Sequence, residues 1–175
     1  RLNVRVEKID RAGRKLFLQN GETLSYDKLA LCTGARVRKL EIPGAQLKGV
    51  HYLRTLADAQ AVQADVKPGG KAVIVGGGYI GLETAASLRK LGMEVTVLEM
   101  MNRVLERVTA PELSAYYTDL HQRHGVQIIT GAQALELRGN DRVQQVVCNE
   151  NRVLDADLVS IGIGVIPNTE LAAGA

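Results

Sequence analysis

Gly76, Gly78 and Gly81 fall in the spacing G-x-G-x-x-G, within the run Val73-Ile74-Val75-Gly76-Gly77-Gly78-Tyr79-Ile80-Gly81-Leu82-Glu83. Each glycine has its own physical reason. The first allows a tight turn out of a strand, the second removes a Cβ so that a pyrophosphate can approach the backbone, and the third lets a helix lie close to the strand. The helix N-terminus then offers unpaired N–H groups and the positive end of its dipole to an anion. Such a motif is weak alone, and its context decides. Here it follows the apolar run Ala72 to Val75, opens a helical stretch from Tyr79 to Leu91 closed by Gly92, and is followed by Val95-Thr96-Val97-Leu98-Glu99. Residues Lys71 to Glu99 therefore read as a β-α-β unit for a dinucleotide. Small residues Ala85 and Ala86 favour close packing of its helix.

Glu99 closes the second strand, where a carboxylate accepts hydrogen bonds from ribose hydroxyls and repels a 2′-phosphate, so NADH is expected over NADPH. Arg103 and Arg107 are expected to contact the pyrophosphate or the adenine side; either one at the 2′ position would admit NADP.

The rest of the chain must position this unit. Strands are expected around Val4 to Ile9, Lys15 to Leu18 and Leu24 to Tyr26, with Asn20-Gly21 as a turn, and a buried strand over Lys28 to Thr33. Thr55 to Val66 reads as a helix with a capping box between Thr55 and Asp58. A second helix runs from Thr109, as cap, to about Arg123, with Pro111 in its first turn. Val126 to Ile129, a hairpin about Gly139-Asn140-Asp141, and Asp157 to Ile163 follow as strands. The class is α/β, with a Rossmann-like three-layer domain whose parallel sheet is joined by a β-meander. The boundaries read as 1–48, a strand-rich segment; 49–70, a linker and helix; 71–164, the nucleotide domain; and 165–175, a return segment.

Composition bounds the rest. The chain has 175 residues, 46% of them hydrophobic and 23% charged, with a net charge of +3. The basic residues are scattered, so no nucleic-acid surface is expected. No apolar run reaches the roughly 18 residues of a membrane span. A cytoplasmic setting fits. The chain opens on Arg1 rather than Met, as a processed or excised chain does. Cys32 and Cys148 are distant and form no C-x-x-C pair, which argues against a redox dithiol and against zinc; both sit in apolar stretches, so buried packing is expected. His121 and His124 read as helix surface or as dipole partners, not as a metal site.

These motifs, with Tyr26-Asp27-Lys28-Leu29-Ala30-Leu31-Cys32-Thr33-Gly34-Ala35, His51-Tyr52-Leu53-Arg54-Thr55-Leu56-Ala57-Asp58-Ala59 and Asp157 to Asn168, resemble the FAD-dependent pyridine nucleotide-disulfide oxidoreductases, in particular the ferredoxin reductases that serve oxygenases. The resemblance covers nearly the whole chain. It implies an NADH-binding domain flanked by an incomplete piece of the FAD domain. It implies hydride transfer from NADH to FAD and electron delivery to a 2Fe–2S ferredoxin. It places Glu83 near nicotinamide and flavin, Gly162-Ile163-Gly164 as the nicotinamide-side floor, and Thr33-Gly34 at the crossover between the nucleotide domains. The glycine loop through Gly77, Tyr79 and Ile80 would hold the cofactor. Cys32 stands where the family usually has Ala, and Val37 where it often has Pro. A second glycine fingerprint for FAD is missing, so the chain alone is expected neither to hold FAD nor to turn over. Related readings are a rubredoxin reductase, an NADH oxidase, an apoptosis-inducing-factor-like protein, or a non-catalytic NADH-binding module.

Overall fold

The computed structural model describes residues 1–175, which divide into two compact units, Arg1–Arg36 with Val165–Ala175, and Val37–Gly164. In the first unit, β1 (Val6–Asp10), β2 (Lys15–Leu18) and β3 (Thr23–Ser25) form an antiparallel meander in that order. Only Ile9 and Leu18 are buried hydrophobics there. Residues 28–33, expected as a buried strand, are neither strand nor buried. No strand of the chain pairs with them, and an apolar run without a ladder partner stays irregular. A short strand β4 (Ala35–Val37) follows.

The second unit contains β5 (Val50–Tyr52), α1 (Leu56–Asp65), β6 (Lys71–Val75), α2 (Tyr79–Lys90), β7 (Glu94–Glu99), α3 (Pro111–Arg123), β8 (Val126–Thr130), β9 (Ala134–Arg138), β10 (Gln145–Cys148), β11 (Val153–Asp155) and β12 (Leu158–Ile161). Strand β13 (Val165–Pro167) and helix α4 (Glu170–Ala173) close the chain, and β13 pairs with β4. The main sheet is five-stranded and parallel throughout, in the order β5-β12-β6-β7-β8.

Alternation along the central strands makes three layers. Ala72 and Ile74 of β6, Val95 and Val97 of β7 and Leu158 of β12 face a core with Val62 of α1 and Ala85 and Leu88 of α2. Val73, Val75, Leu98, Val159 and Ile161 face the opposite way, onto Ala134, Leu137, Val146 and Cys148 of the antiparallel sheet β11-β10-β9. A strand buried on both faces reads as a near-continuous apolar run, as β6 does over Ala72 to Val75 and β12 does apart from the buried Ser160.

Residues 49–70 hold the expected helix as α1; ahead of it β5 pairs in register with β12, Val50 opposite Val159, and forms the sheet edge. Two sequence expectations change. Residues 37–48 belong with the second unit rather than the first; Pro43 accepts the Leu137 N–H at 2.9 Å, and Leu40, Ile42 and Leu47 pack on the meander core. Helix α3 is capped by Ala110, not Thr109, with Pro111 at the first position. The Thr109 hydroxyl is turned to the Leu105 carbonyl and Ser114 instead. The capping box at Thr55 and Asp58 is present in full. No helix is long and apolar enough to cross a membrane, and no group of three or more His, Cys, Asp or Glu is placed to hold a metal.

Candidate functional site

The β6–α2 junction is built by close backbone approach. Gly76 adopts φ +110°, and a Cβ there would lie 2.5 Å from the Gly162 carbonyl oxygen. At Gly81 a Cβ would fall 1.9 Å from the Gly76 carbonyl oxygen, so α2 can start here only with glycine at that position. A Cβ on Gly78 would meet nothing within 4 Å; the space beside it is open. The Gly76 N–H donates to Leu98 O at 2.8 Å and joins the turn to β7.

Helix α2 has a bare N-terminus. Gly78 caps it without a side-chain hydrogen bond, and its first turn contains no acid. The other helices differ: α1 has Asp58, α3 Glu112 and α4 Glu170 in the first turn. The first N–H groups of a helix have no partner within it. At α2 they and the positive dipole end remain available to an anion outside the helix. Its last turn, with Arg89 and Lys90, is basic, as the opposite end of the dipole favours.

Glu99 holds the loop as well as facing the site. Its Oε2 accepts the Gly77 N–H at 2.7 Å and its Oε1 the Met101 N–H at 2.8 Å. A carboxylate offers about four lone-pair positions; two are used here and two remain for hydroxyl donors. A Cβ at Gly77 would lie 3.0 Å from Glu99 Oε2, so Gly77 admits this contact too. Leu105 donates to Gly77 O at 2.9 Å from a left-handed backbone, φ 56°. That conformation costs a non-glycine residue about 1–2 kcal/mol, and burial of Leu105 with Leu82 and Val104 holds it in place.

The two arginines separate. Arg103 is turned inward: Nη1 donates to Thr109 O at 3.0 Å and Ser114 Oγ at 2.6 Å, and Nη2 to Glu106 O at 3.0 Å. It ties the segment after β7 together. Arg107 is exposed and unpaired. Glu83 and Tyr79 are exposed on α2, with Ile80 beside them. Gly162 lies against the loop, its would-be Cβ 3.4 Å from Gly81 N; Gly164 adopts φ +100°. Ile163 packs on the meander core. Thr33 and Gly34 stand in the first unit, bound to Asn168: Thr33 Oγ1 donates to its carbonyl at 2.5 Å, and the Asn168 N–H donates to Gly34 O at 3.0 Å.

Sequence reasoning missed Met101, Leu105 and Ser114. The first two act through backbone groups and carry no side-chain signal. Ser114 could have been found: Ser114, Tyr117 and His121 follow the i, i+3, i+7 spacing of an inward helix face, and Ser114 is buried with its hydroxyl on Val104 O at 2.6 Å.

The model of the pyridine nucleotide-disulphide oxidoreductases matches residues 1–175. The chain belongs to this family. It is 42% identical to rhodocoxin reductase of Rhodococcus erythropolis over 170 residues, 96% of this chain and 40% of that protein. Among solved structures, the ferredoxin reductase for the CYP199A2 system from Rhodopseudomonas palustris superposes with a TM-score of 0.90 at 43% identity, over 98% of this chain and 43% of that one. Putidaredoxin reductase, in its covalent complex with putidaredoxin, gives a TM-score of 0.88 at 43% identity, over 97% of this chain and 42% of that one. The chain thus spans about two fifths of the length of the relatives it matches.

Proposed function

We propose that this pyridine nucleotide-disulphide oxidoreductase chain is the NADH-binding portion of an FAD-dependent ferredoxin reductase. The observation that carries the reading is the bare N-terminus of α2, brought against β6 and Gly162 by Gly76 and Gly81, with Glu99 fastened beside Gly77. The unpaired N–H groups at Gly78, Tyr79, Ile80 and Gly81 would take the pyrophosphate, and the free lone pairs of Glu99 the adenine ribose. Arg107 is the cation available to the outer phosphate or adenine. Gly164, with open space beside it, suits the approach of a flat ring. NADH supplies a hydride, which in such reductases goes to FAD before electrons pass on to a 2Fe–2S ferredoxin.

Further assignments rest on likeness to the relatives named above. Glu83, exposed and unpaired on α2, is the candidate for the nicotinamide and flavin side. Thr33 and Gly34 belong to the piece of the FAD domain, with residues 1–36 and 165–175; residues 37–164 form the NADH domain. The flavin is not retained by this chain alone, the activity belongs to the whole protein in the cytoplasm, and the electron acceptor is a ferredoxin. The first unit supports the flavin reading: its buried core consists of Ile9 and Leu18 alone, which is little to enclose an isoalloxazine.

Calorimetric titration with NADH and NADPH tests the reading. NADH should bind at least about ten-fold tighter than NADPH, and Glu99→Ala should close that gap. Equal binding of the two cofactors to the unaltered chain overturns the ribose assignment, and failure of both to bind overturns the whole reading.

A further inference from the structure

The C-terminal halves of α2 and α3 leave between them a cavity of about 600 Å3, a size that suits a small ligand. It lies at the far end of α2 from the glycine loop, about 16 Å along the helix at 1.5 Å per residue. It is therefore no part of the dinucleotide site. Ala86, Leu120 and Val126 give it apolar walls, and every polar side chain that lines it is basic.

Two of the four basic side chains have structural work. Arg89 donates from Nε to His124 O and from Nη1 to Met93 O, both at 3.1 Å. His124 Nδ1 meets Leu120 O at 2.8 Å. Both satisfy carbonyls near helix ends, as cations there do. The other two have none. Lys90 is exposed and makes no ion pair or hydrogen bond. His121 is 9% exposed, lines the cavity, and its ring has no hydrogen-bond partner. The only buried side-chain nitrogen or oxygen without a partner is Arg142 Nε, so the unpaired His121 ring nitrogens open to the cavity, where a ligand atom can reach them. Burial and the neighbouring His124 hold the His121 pKa below the ordinary imidazole range. The ring is then neutral near pH 7 and offers one N–H donor.

We propose that this cavity binds a small organic carboxylate with an apolar body. The body lies against Ala86, Leu120 and Val126; the carboxylate is held between the Lys90 ammonium and the His121 N–H. A single negative charge fits better than a phosphate dianion. The site has one free cation and one neutral donor, and the two helix C-termini beside it carry partial negative charge.

The test is an NMR titration of the full chain with octanoate, following the His121 ring and the Ala86 methyl. Octan-1-ol and inorganic phosphate serve as comparison ligands, and NADH binding reports the fold independently. Octanoate should shift both resonances saturably. Lys90→Met and His121→Gln should each weaken octanoate about ten-fold, the scale of one charge-assisted hydrogen bond, and leave NADH affinity unchanged. Octan-1-ol should bind far more weakly than octanoate, and phosphate should leave both resonances in place. The proposal falls if octanoate moves neither resonance, if octan-1-ol binds as tightly, if phosphate competes, or if Lys90→Met binds octanoate like the unaltered chain. Because the cavity is remote from Gly78, loss of NADH binding and loss of octanoate binding are separate results.

Discussion

A methyl group on Gly81 would lie 1.9 Å from a backbone carbonyl, whereas one on Gly78 would meet nothing of the protein. The two glycines of one motif therefore answer to different demands, folding for Gly81 and the approach of a ligand for Gly78. Overpacking of the Gly81 kind costs about 1–3 kcal/mol, so Gly81→Ala should lower the melting temperature and NADH affinity together. Gly78 has φ −80°, open to any residue. Gly78→Ala should change stability by no more than about 1 kcal/mol yet weaken NADH at least about ten-fold. Thermal melts beside titrations of both variants decide this; normal NADH affinity in a stable Gly78→Ala chain would remove Gly78 from the pyrophosphate site. Arg103 and Arg107 separate in the same way. Arg103→Met removes donors from two carbonyls and Ser114, and should cost about 2–3 kcal/mol in urea denaturation, as hydrogen bonds from a charged group do. Arg107→Met should leave the urea midpoint in place and weaken only the cofactor. If the two effects were exchanged, Arg103 would be the cofactor ligand and Arg107 the structural tie.

At the scale of elements, the parallel strands and their helices were legible because burial on both faces forces apolar runs, and glycines mark the turns. The apolar run Ala72 to Val75 of β6 and the segment from Leu158 are clear for that reason. Lys28 to Thr33 has the same apolar look, but an apolar run specifies a strand only beside a partner, and pairing is not written in the run itself. Strand β5 hid for the converse reason: Val-His-Tyr is short, and its place at the sheet edge comes from register with Val159 to Ile161. The glycines and Glu99 of the site were legible through their spacing, while the backbone donors at Met101 and Leu105 left no trace in residue type. On α3, the spacing of His121 and His124 near the helix end points to surface or to dipole partners, and His121 is buried. Its burial has a consequence for pH. With its folded pKa below an unfolded value of about 6.5, the unfolded chain takes up this proton first as pH falls. The contribution of His121 to stability is whole above about pH 6.5 and is lost as pH falls from there through the folded pKa. After burial, the neighbouring His124 is the second cause that lowers it. Urea midpoints measured from pH 8 to pH 5 should fall below pH 6.5, and the fall should be smaller in His121→Phe. Parallel curves for the two chains would show that His121 ionises as freely folded as unfolded.

For the whole molecule, the two units differ in how much apolar surface each removes from water. The second unit closes cores on both faces of its sheet; the first buries Ile9 and Leu18 and leaves Leu2 89% exposed, with Phe17 and Leu31 exposed as well. Stability that follows buried area is then unevenly spread, and the first unit opens at lower free energy. Backbone amides of β1 to β3 should exchange with deuterium well before those of β6, β7 and β12. The two cysteines give a chemical check on the same gradient, one in each unit. Cys32 is exposed in the first; Cys148 is 1% exposed in the second, and burial pushes its thiol pKa up despite the nearby Arg152. The thiolate is the reactive form, so both access and ionisation protect Cys148. An aromatic disulfide reagent at pH 8 should therefore modify one thiol per chain at once, identified by peptide mapping as Cys32, and the second only at the rate of unfolding of the 37–164 unit. Addition of NADH should slow the second reaction, since a ligand that binds only the folded second unit reduces its open population in proportion to saturation, and should leave the Cys32 rate unchanged. Simultaneous modification of both thiols, or equal exchange in the two sets of strands, would mean that the chain opens as one cooperative body.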